Sequence, residues 1–287
     1  MVTFWKYHGL GNDFVMFDGR DKTVSLLKRL TPGIIQALCD RHTGAGADGI
    51  IVASLVSENR YRMTYYNADG YEAEMCGNGI RCTVALLQDL GEDMSRTVEI
   101  ITGGNTILAQ AQHDGSVRNT MPTPKFRGFQ EIPSIADARL ISTIVLEDRQ
   151  FKGVILSTGN PHFVIPEKIA LDDLLTWGPK LETHPEFPNR TNVEFVEIPD
   201  RRTVRVLIWE RGVGRTLASG SGATASASTA VALGKVDAGR DISIQMEGGT
   251  LAINVSPDFR EIWLQGPATF VFKGELNEAG GWHGLVS

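Results

Sequence analysis

The chain is a succession of short runs rich in Val, Ile, Thr and aromatic residues, separated by polar stretches in which glycine is the commonest punctuation. β-branched and aromatic side chains suit a pleated surface, so this pattern predicts a strand-rich fold. Strands are expected near 3–8, 14–18, 61–66, 97–102, 106–111, 154–156, 163–165, 193–198, 204–209, 242–246 and 262–264. Helical patterns are fewer. One opens at Thr31 with Pro32 at the first helical position, a cap followed by proline. Two others follow the segments CGNG and SGSG, spanning roughly 78–90 and 221–233 and stopping at Gly91 and Gly234. Both are small or apolar on almost every face, which predicts helices enclosed by strands.

The two enclosed helices belong to a repeat of about half the chain. GNDFVM (11–16) echoes GNPHFVI (159–165), and RMTYYNADGYEAEMCGNG (62–79) echoes RVLIWERGVGRTLASGSG (205–222). In each half a strand-like run ends at a polar residue, Asn67 or Glu210, and the helix-opening residue follows nine positions later. The fold class expected is α+β: two pseudo-symmetric, strand-rich domains, each wrapped around a central helix, with the active site in the cleft between them. The first would span 1–122, completed by the C-terminal segment 265–287, and the second 123–264. The prolines of MPTP (121–124) mark the linker, because they discourage regular structure.

Composition narrows the function. Of 287 residues, 28 are Lys or Arg and 34 Asp or Glu, a formal charge of −6, and no basic cluster or aromatic stacking pattern points to nucleic acid. The small and apolar run 223–233 is too short to cross a bilayer. Three cysteines, Cys39, Cys76 and Cys82, and no signal-like stretch behind Met1 are what a cytoplasmic protein would show. The expected partner is a small molecule; a homodimer is compatible with this reading.

Cys76 precedes Gly77, Asn78 and Gly79 at an expected helix start, where unpaired N–H groups and the positive dipole end favour anions. That setting lowers a thiol pKa, and the same amides suit a substrate carboxylate. A buried structural cysteine is the competing reading, and it is adopted for Cys39 and Cys82. Ser219 holds the matching place before Gly220, Ser221 and Gly222. Taken alone it is a helix cap; the repeat brings it to the site. A serine hydroxyl also needs an adjacent base, and the sequence alone identifies none. Around the two helix starts lie Asn12, Asn67, Asn78, Asn160 and Asn192, with His8, His162, Glu210 and Arg211. Asparagines often serve turns, and neighbouring Glu and Arg are often a solvated pair. Together, however, these groups would serve two carboxylates and two ammonium groups, as an amino-acid pocket does. GLGNDF and GAGADG do not open a dinucleotide-binding helix, no Walker loop is present, and neither a metal-ligand spacing nor a pyridoxal-phosphate lysine stands out. No cofactor and no metal are expected.

These segments together resemble the diaminopimelate epimerase family of cofactor-independent amino-acid epimerases and racemases. The resemblance runs through YHGLGNDFVMFD (7–18), RHTGAGADG (41–49), NADGYEAEMCGNGIRC (67–82), GNPHFV (159–164), HPEFPNRTNVEF (184–195) and ERGVGRTLASGSGATA (210–225). It implies two pseudo-symmetric domains with the ligand between them, and Cys76 as one of two opposed acid/base residues that exchange an α-proton. It further implies substrate contacts from Asn12, Asn67, Asn160, His162, Asn192, Glu210 and Arg211, with Gly77, Asn78, Gly220 and Ser221 holding the reacting carboxylate. The chain departs from the family pattern where the chemistry is centred: Ser219 stands where the second motif carries cysteine, and Arg215 replaces an acid. The activity implied is epimerisation of LL-diaminopimelate to the meso form, weakened or altered by Ser219. The alternatives are a racemase of another amino acid, a one-base lyase or isomerase, and a non-catalytic amino-acid binder.

Overall fold

The computed structural model describes residues 2–20, 28–73 and 76–276. Glu74 and Met75 of the first helix-entrance motif, and the 277–287 part of the expected C-terminal segment, lie outside the described residues. The chain forms two compact units, one of Met1–Asn119 with Gly266–Ser287 and the other of Thr120–Gln265.

In the first unit the strands are β1 (Val2–Gly9), β2 (Asn12–Asp18), β3 (Gly49–Ser57), β4 (Arg60–Asn67), β5 (Glu72–Ala73), β6 (Val98–Thr102), β7 (Asn105–Ala111) and β8 (Val117–Thr120). A C-terminal strand, Thr269–Leu276, pairs antiparallel with β1. The sheet then runs β1–β2–β3–β4–β6–β7–β8, with parallel steps at β2–β3 and β4–β6 and antiparallel ones elsewhere; β5 sits on β4. Helix Pro32–Cys39, capped by Thr31, makes the β2–β3 crossover, and helix Gly77–Asp89 fills the unit. Ile80, Cys82, Val84, Leu86 and Leu87 of that helix join a core with Phe14, Ile51, Met63 and Ile100.

The second unit repeats this order. Its strands are β9 (Lys125–Phe126), β10 (Ile141–Leu146), β11 (Arg149–Ser157), β12 (Pro161–Ile165), β13 (Asn192–Asp200), β14 (Thr203–Glu210), β15 (Gly214–Thr216), β16 (Asp241–Met246), β17 (Gly249–Val255) and β18 (Ile262–Gly266). The sheet runs β10–β11–β12–β13–β14–β16–β17–β18, again with two parallel steps, β12–β13 and β14–β16, and with β15 on β14. Helix Leu171–Glu182 makes the crossover and helix Gly220–Ala232 fills the unit. Every residue of that last helix except Ser221 is buried. Its Ala, Ser, Thr and Gly side chains are small enough for strands to close around it on all sides.

Several elements escape the periodicity. Strand β3 carries six consecutive buried residues, as a strand covered on both faces with a parallel neighbour does, and so shows no alternation. Helix Leu171–Glu182 opens at Ala170, whose side chain offers no cap, and contains Pro179. Its first turn is supported instead by Asp173, whose carboxylate accepts from the Ala170 N–H at 3.3 Å.

Candidate active site

In the first unit, Cys76 is the N-cap of its helix, with extended backbone at φ −141° and ψ 110°. Its sulfur accepts from the Gly79 N–H at 3.4 Å, and the thiol donates to Asn12 Oδ1 at 3.6 Å. Asn78 Nδ2 donates to the same Asn12 oxygen at 3.1 Å, so one carbonyl gathers the groups of the helix start. Asn12 is held in turn, its Nδ2 donating to Asp48 Oδ2 at 2.8 Å. Asp48 belongs to the RHTGAGADG loop, which an ionic cluster ties down: Lys6 to Asp13 at 2.8 Å, Arg41 to Asp13 at 2.8 Å and Arg41 to Asp48 at 2.7 Å. Burial alone would raise the Asp13 carboxyl, but Arg41 and Lys6 outweigh it and hold the pKa at about 2.

Sequence reasoning missed Arg81, which is fully buried beneath this helix start. It donates to Asn78 Oδ1 at 2.7 Å, Pro267 O at 3.2 Å and Gly77 O at 3.4 Å. Burial pushes its pKa down. Gly9 admits it: a β-carbon there would lie 2.9 Å from the guanidinium. Asn67, at the end of β4, stays exposed, with its backbone bonded to the turn formed by Gly70 and Tyr71. Cys39 and Cys82 are buried, and burial raises both thiols to about 12, as structural cysteines would be.

In the second unit, Ser219 caps its helix with nearly the same backbone, φ −140° and ψ 126°, and accepts from the Gly222 N–H at 3.2 Å. Ser221 Oγ lies 3.4 Å from Ser219 Oγ and accepts from Asn160 Nδ2 at 3.3 Å. Asn160 Oδ1 meets His162 Nε2 at 2.8 Å, and His162 Nδ1 meets Glu194 Oε1 at 2.7 Å. His162 and Glu194 are both fully buried, and Glu194 Oε2 has no hydrogen-bond partner. Burial raises the Glu194 carboxyl, against the pull of His162. Gly222 leaves room for this acid, since a β-carbon there would stand 3.0 Å from Glu194 Oε1.

Glu210 ends β14 beside Ser219. Burial raises its carboxyl, while the neighbouring Ser219 and Thr216 hydroxyls pull it back. The Thr216 hydroxyl is buried without a hydrogen-bond partner. The sequence lists Glu210 and Ser219 nine residues apart; the β14–β15 turn, which pairs Glu210 with Gly214, is what returns the chain toward the carboxylate. Asn192 uses both ends of its amide within the protein, Nδ2 to Pro161 O at 2.7 Å and Oδ1 from the Arg211 N–H at 3.0 Å. The exposed Arg211 guanidinium touches Asn189 O at 3.3 Å. Arg215 is paired with Glu247 at 2.6 Å.

The two sites differ beneath the cap. Counted back from Asn67 and Glu210 through the strand pairings, Phe14 and Ile51 of the first unit hold the places of His162 and Glu194 in the second. An apolar floor under Cys76 is thus replaced by an imidazole and an acid under Ser219. Among the described residues, no group of three His, Cys, Asp or Glu is placed to hold a metal ion, and no helix is long and apolar enough to cross a membrane.

Comparison with known proteins places this repeated architecture. The family model described as diaminopimelate epimerase matches residues 4–126 and 154–271. Diaminopimelate epimerase 1 of Nostoc sp. is 42% identical over 285 residues, covering 96% of this chain and 99% of the relative, and diaminopimelate epimerase of Thermosynechococcus vestitus is 39% identical with the same coverage. Among solved structures, a probable proline racemase from Agrobacterium radiobacter superposes with a TM-score of 0.66 at 15% identity, covering 97% of this chain and 93% of its own. A hydroxyproline epimerase from Agrobacterium vitis gives 0.65 at 14%, covering 99% and 98%. With a family model spanning both units and relatives alike over almost their full length, the chain belongs to the diaminopimelate epimerase family and is an isomerase of the amino-acid epimerase and racemase type.

Proposed function

We propose that the protein, a cytoplasmic homodimer, converts LL-diaminopimelate to meso-diaminopimelate without a cofactor, by two-base exchange of the α-proton. The observation that carries this reading is the pair of matching helix N-termini, each capped by a side chain that can handle a proton, Cys76 and Ser219. The names of the relatives supply the substrate. In this reading one cap removes the α-proton while the other delivers a proton to the opposite face, so that the C–H bond lost on one side is remade on the other. The amides of Gly77, Asn78, Gly220 and Ser221 take the reacting carboxylate, where helix dipoles offset the charge that grows as the proton leaves. Asn12, Asn67, Asn160 and Asn192 frame the substrate, with the buried His162 holding Asn160 in place. Arg211 grips the distant carboxylate and Glu210 pairs with an ammonium group.

Incubation with LL- and meso-diaminopimelate and a panel of other amino acids in D₂O tests the proposal. Deuterium at the α-carbon together with inversion is expected for diaminopimelate, and Cys76→Ala should slow both by about 10²–10⁴-fold. Release of water or another fragment would make the protein a lyase. Binding without exchange would make it a binder, and equal turnover of a monocarboxylic amino acid would make it a broader racemase.

A further inference from the structure

The crossover helix of the second unit, Leu171–Glu182, ends on a buried acid. Glu182 Oε2 accepts from the Trp209 indole N–H at 2.7 Å, and Oε1 accepts from the Gly212 N–H at 2.8 Å and, at the longer distance of 3.4 Å, from the Arg190 guanidinium. Its backbone carbonyl accepts from the Thr191 N–H at 3.2 Å. Burial alone would raise this carboxyl, but the donors on Trp209, Gly212 and Arg190 outweigh it and hold the pKa below its ordinary value. Glu182 is therefore a carboxylate, which only accepts.

These donors surround Arg211. Trp209 and Gly212 flank it in the chain, while Arg190 and Thr191 precede Asn192, whose Oδ1 accepts from the Arg211 N–H at 3.0 Å. The Arg211 guanidinium donates to Asn189 O at 3.3 Å. Both segments that hold Arg211, 189–192 and 209–212, are thus tied to one carboxylate. Packing stiffens the arrangement, because the Trp209 ring lies so close to Gly178 of the helix that a β-carbon there would come within 2.8 Å of it.

The first unit holds its equivalent turn by other means. Counted from Asn67 and Glu210, Ala68 and Asp69 take the places of Arg211 and Gly212, and Gln36 of the crossover helix donates to the Asp69 carbonyl at 2.7 Å. A neutral side chain suffices where no guanidinium has to be aimed. The carboxylate clamp lies under the turn that carries one.

We propose that Glu182 is a positioning residue for Arg211, fixing the turn after β14 so that the guanidinium meets the substrate's distant carboxylate in a set orientation. The proposal rests on the part of the epimerase reading that gives Arg211 this contact. A guanidinium grips a carboxylate through two parallel N–H donors, so its hold depends on direction as well as charge. Arg211 is exposed, and packing around its own side chain does not supply that direction; the clamped backbone from which it projects does.

A double-mutant cycle on the full-length protein tests this, with calorimetric binding of meso-diaminopimelate and α-proton exchange kinetics as readouts. Glutamine keeps the shape of Glu182 but has a single acceptor oxygen for the Trp209 and Gly212 N–H groups, and its amide N–H₂ must face one of them. Glu182→Gln should raise Kd and KM by about 10-fold while kcat changes by less than about 3-fold. In the Arg211→Ala background the same substitution should move Kd by less than about 2-fold, since no guanidinium is left to aim. Thermal melts identify a variant that does not fold, and Glu182→Asp, which keeps the charge but withdraws it by one methylene, carries the same cycle if the glutamine variant unfolds. An equal loss in both Arg211 backgrounds, or an unchanged Kd in Glu182→Gln, would overturn the proposal and leave Glu182 a structural tie. A parent that binds diaminopimelate without exchanging its α-proton would sink the epimerase reading and leave the clamp open to the same cycle by binding alone; a parent that does not bind it would overturn both.

Discussion

Replacing Asp13 by asparagine should show how firmly the first site is anchored. Asp13 is only 16% exposed and faces Lys6, itself 6% exposed, at 2.8 Å, with Arg41 at the same distance. Its carboxyl is drawn down from its ordinary 3.8 to about 2 by the neighbouring Arg41 and Lys6. That difference corresponds to about 2 kcal/mol of native stability. The variant also strands a buried ammonium, so the full loss at neutral pH should be about 3–5 kcal/mol. The sign of the pH dependence follows from the depressed pKa: the carboxylate's contribution is complete above about pH 4 and fades as pH falls toward 2. Stranding of Lys6 occurs at every acidic pH, so only the carboxylate's share should disappear. Urea unfolding of both proteins at pH 6 and pH 3 should therefore show a gap about 1 kcal/mol narrower at the lower pH. Because Asp48 and through it Asn12 lose their anchor, α-proton exchange should also slow. A gap that does not narrow between the two pH values would refute the assignment of Asp13 as an ionised partner of Lys6 and Arg41.

Two further outcomes follow from the geometry. Brief iodoacetamide treatment with peptide mapping should label Cys76 well ahead of Cys39 and Cys82, which are buried with thiols raised to about 12; preferential labelling of either buried thiol would contradict this. Arg211→Ala should weaken diaminopimelate binding by about 10-fold or more in calorimetry while moving Tm by less than about 2 °C, since the exposed guanidinium makes a single 3.3 Å contact to Asn189 O. Unchanged affinity would remove Arg211 from the substrate's distant end.

The features legible in the sequence are those written in local chemistry. Both central helices begin where a cap residue is followed by glycines, and both are followed by glycine at positive φ, Gly91 at 91° and Gly234 at 66°. The repeat was legible through constant spacing, and the two sheets carry it out strand for strand. Glu194 was not, because NVEF alternates like a strand with a solvated face. The acid is buried because the Gly220–Ala232 helix covers the face it points to, a tertiary fact. Arg81 likewise went unnoticed, because the space that Gly9 makes for it lies on a strand distant in sequence. The closeness of Glu210 to Ser219 depends on the short β14–β15 turn, whose one conspicuous residue, Arg215, points to Glu247 instead.

The C-terminal strand carries a consequence for how the molecule is made. Val2 pairs with Leu276 and His8 with Thr269, so β1 waits for a strand made after the whole second unit to become its neighbour. The second unit is continuous in sequence and can complete its sheet as soon as it emerges, whereas β1 keeps an open edge until residues 269–276 have followed. Translation therefore leaves an interval in which the earlier half is the less finished one. A chain truncated before residue 269 would never close that edge, leaving β1 paired on its β2 side alone.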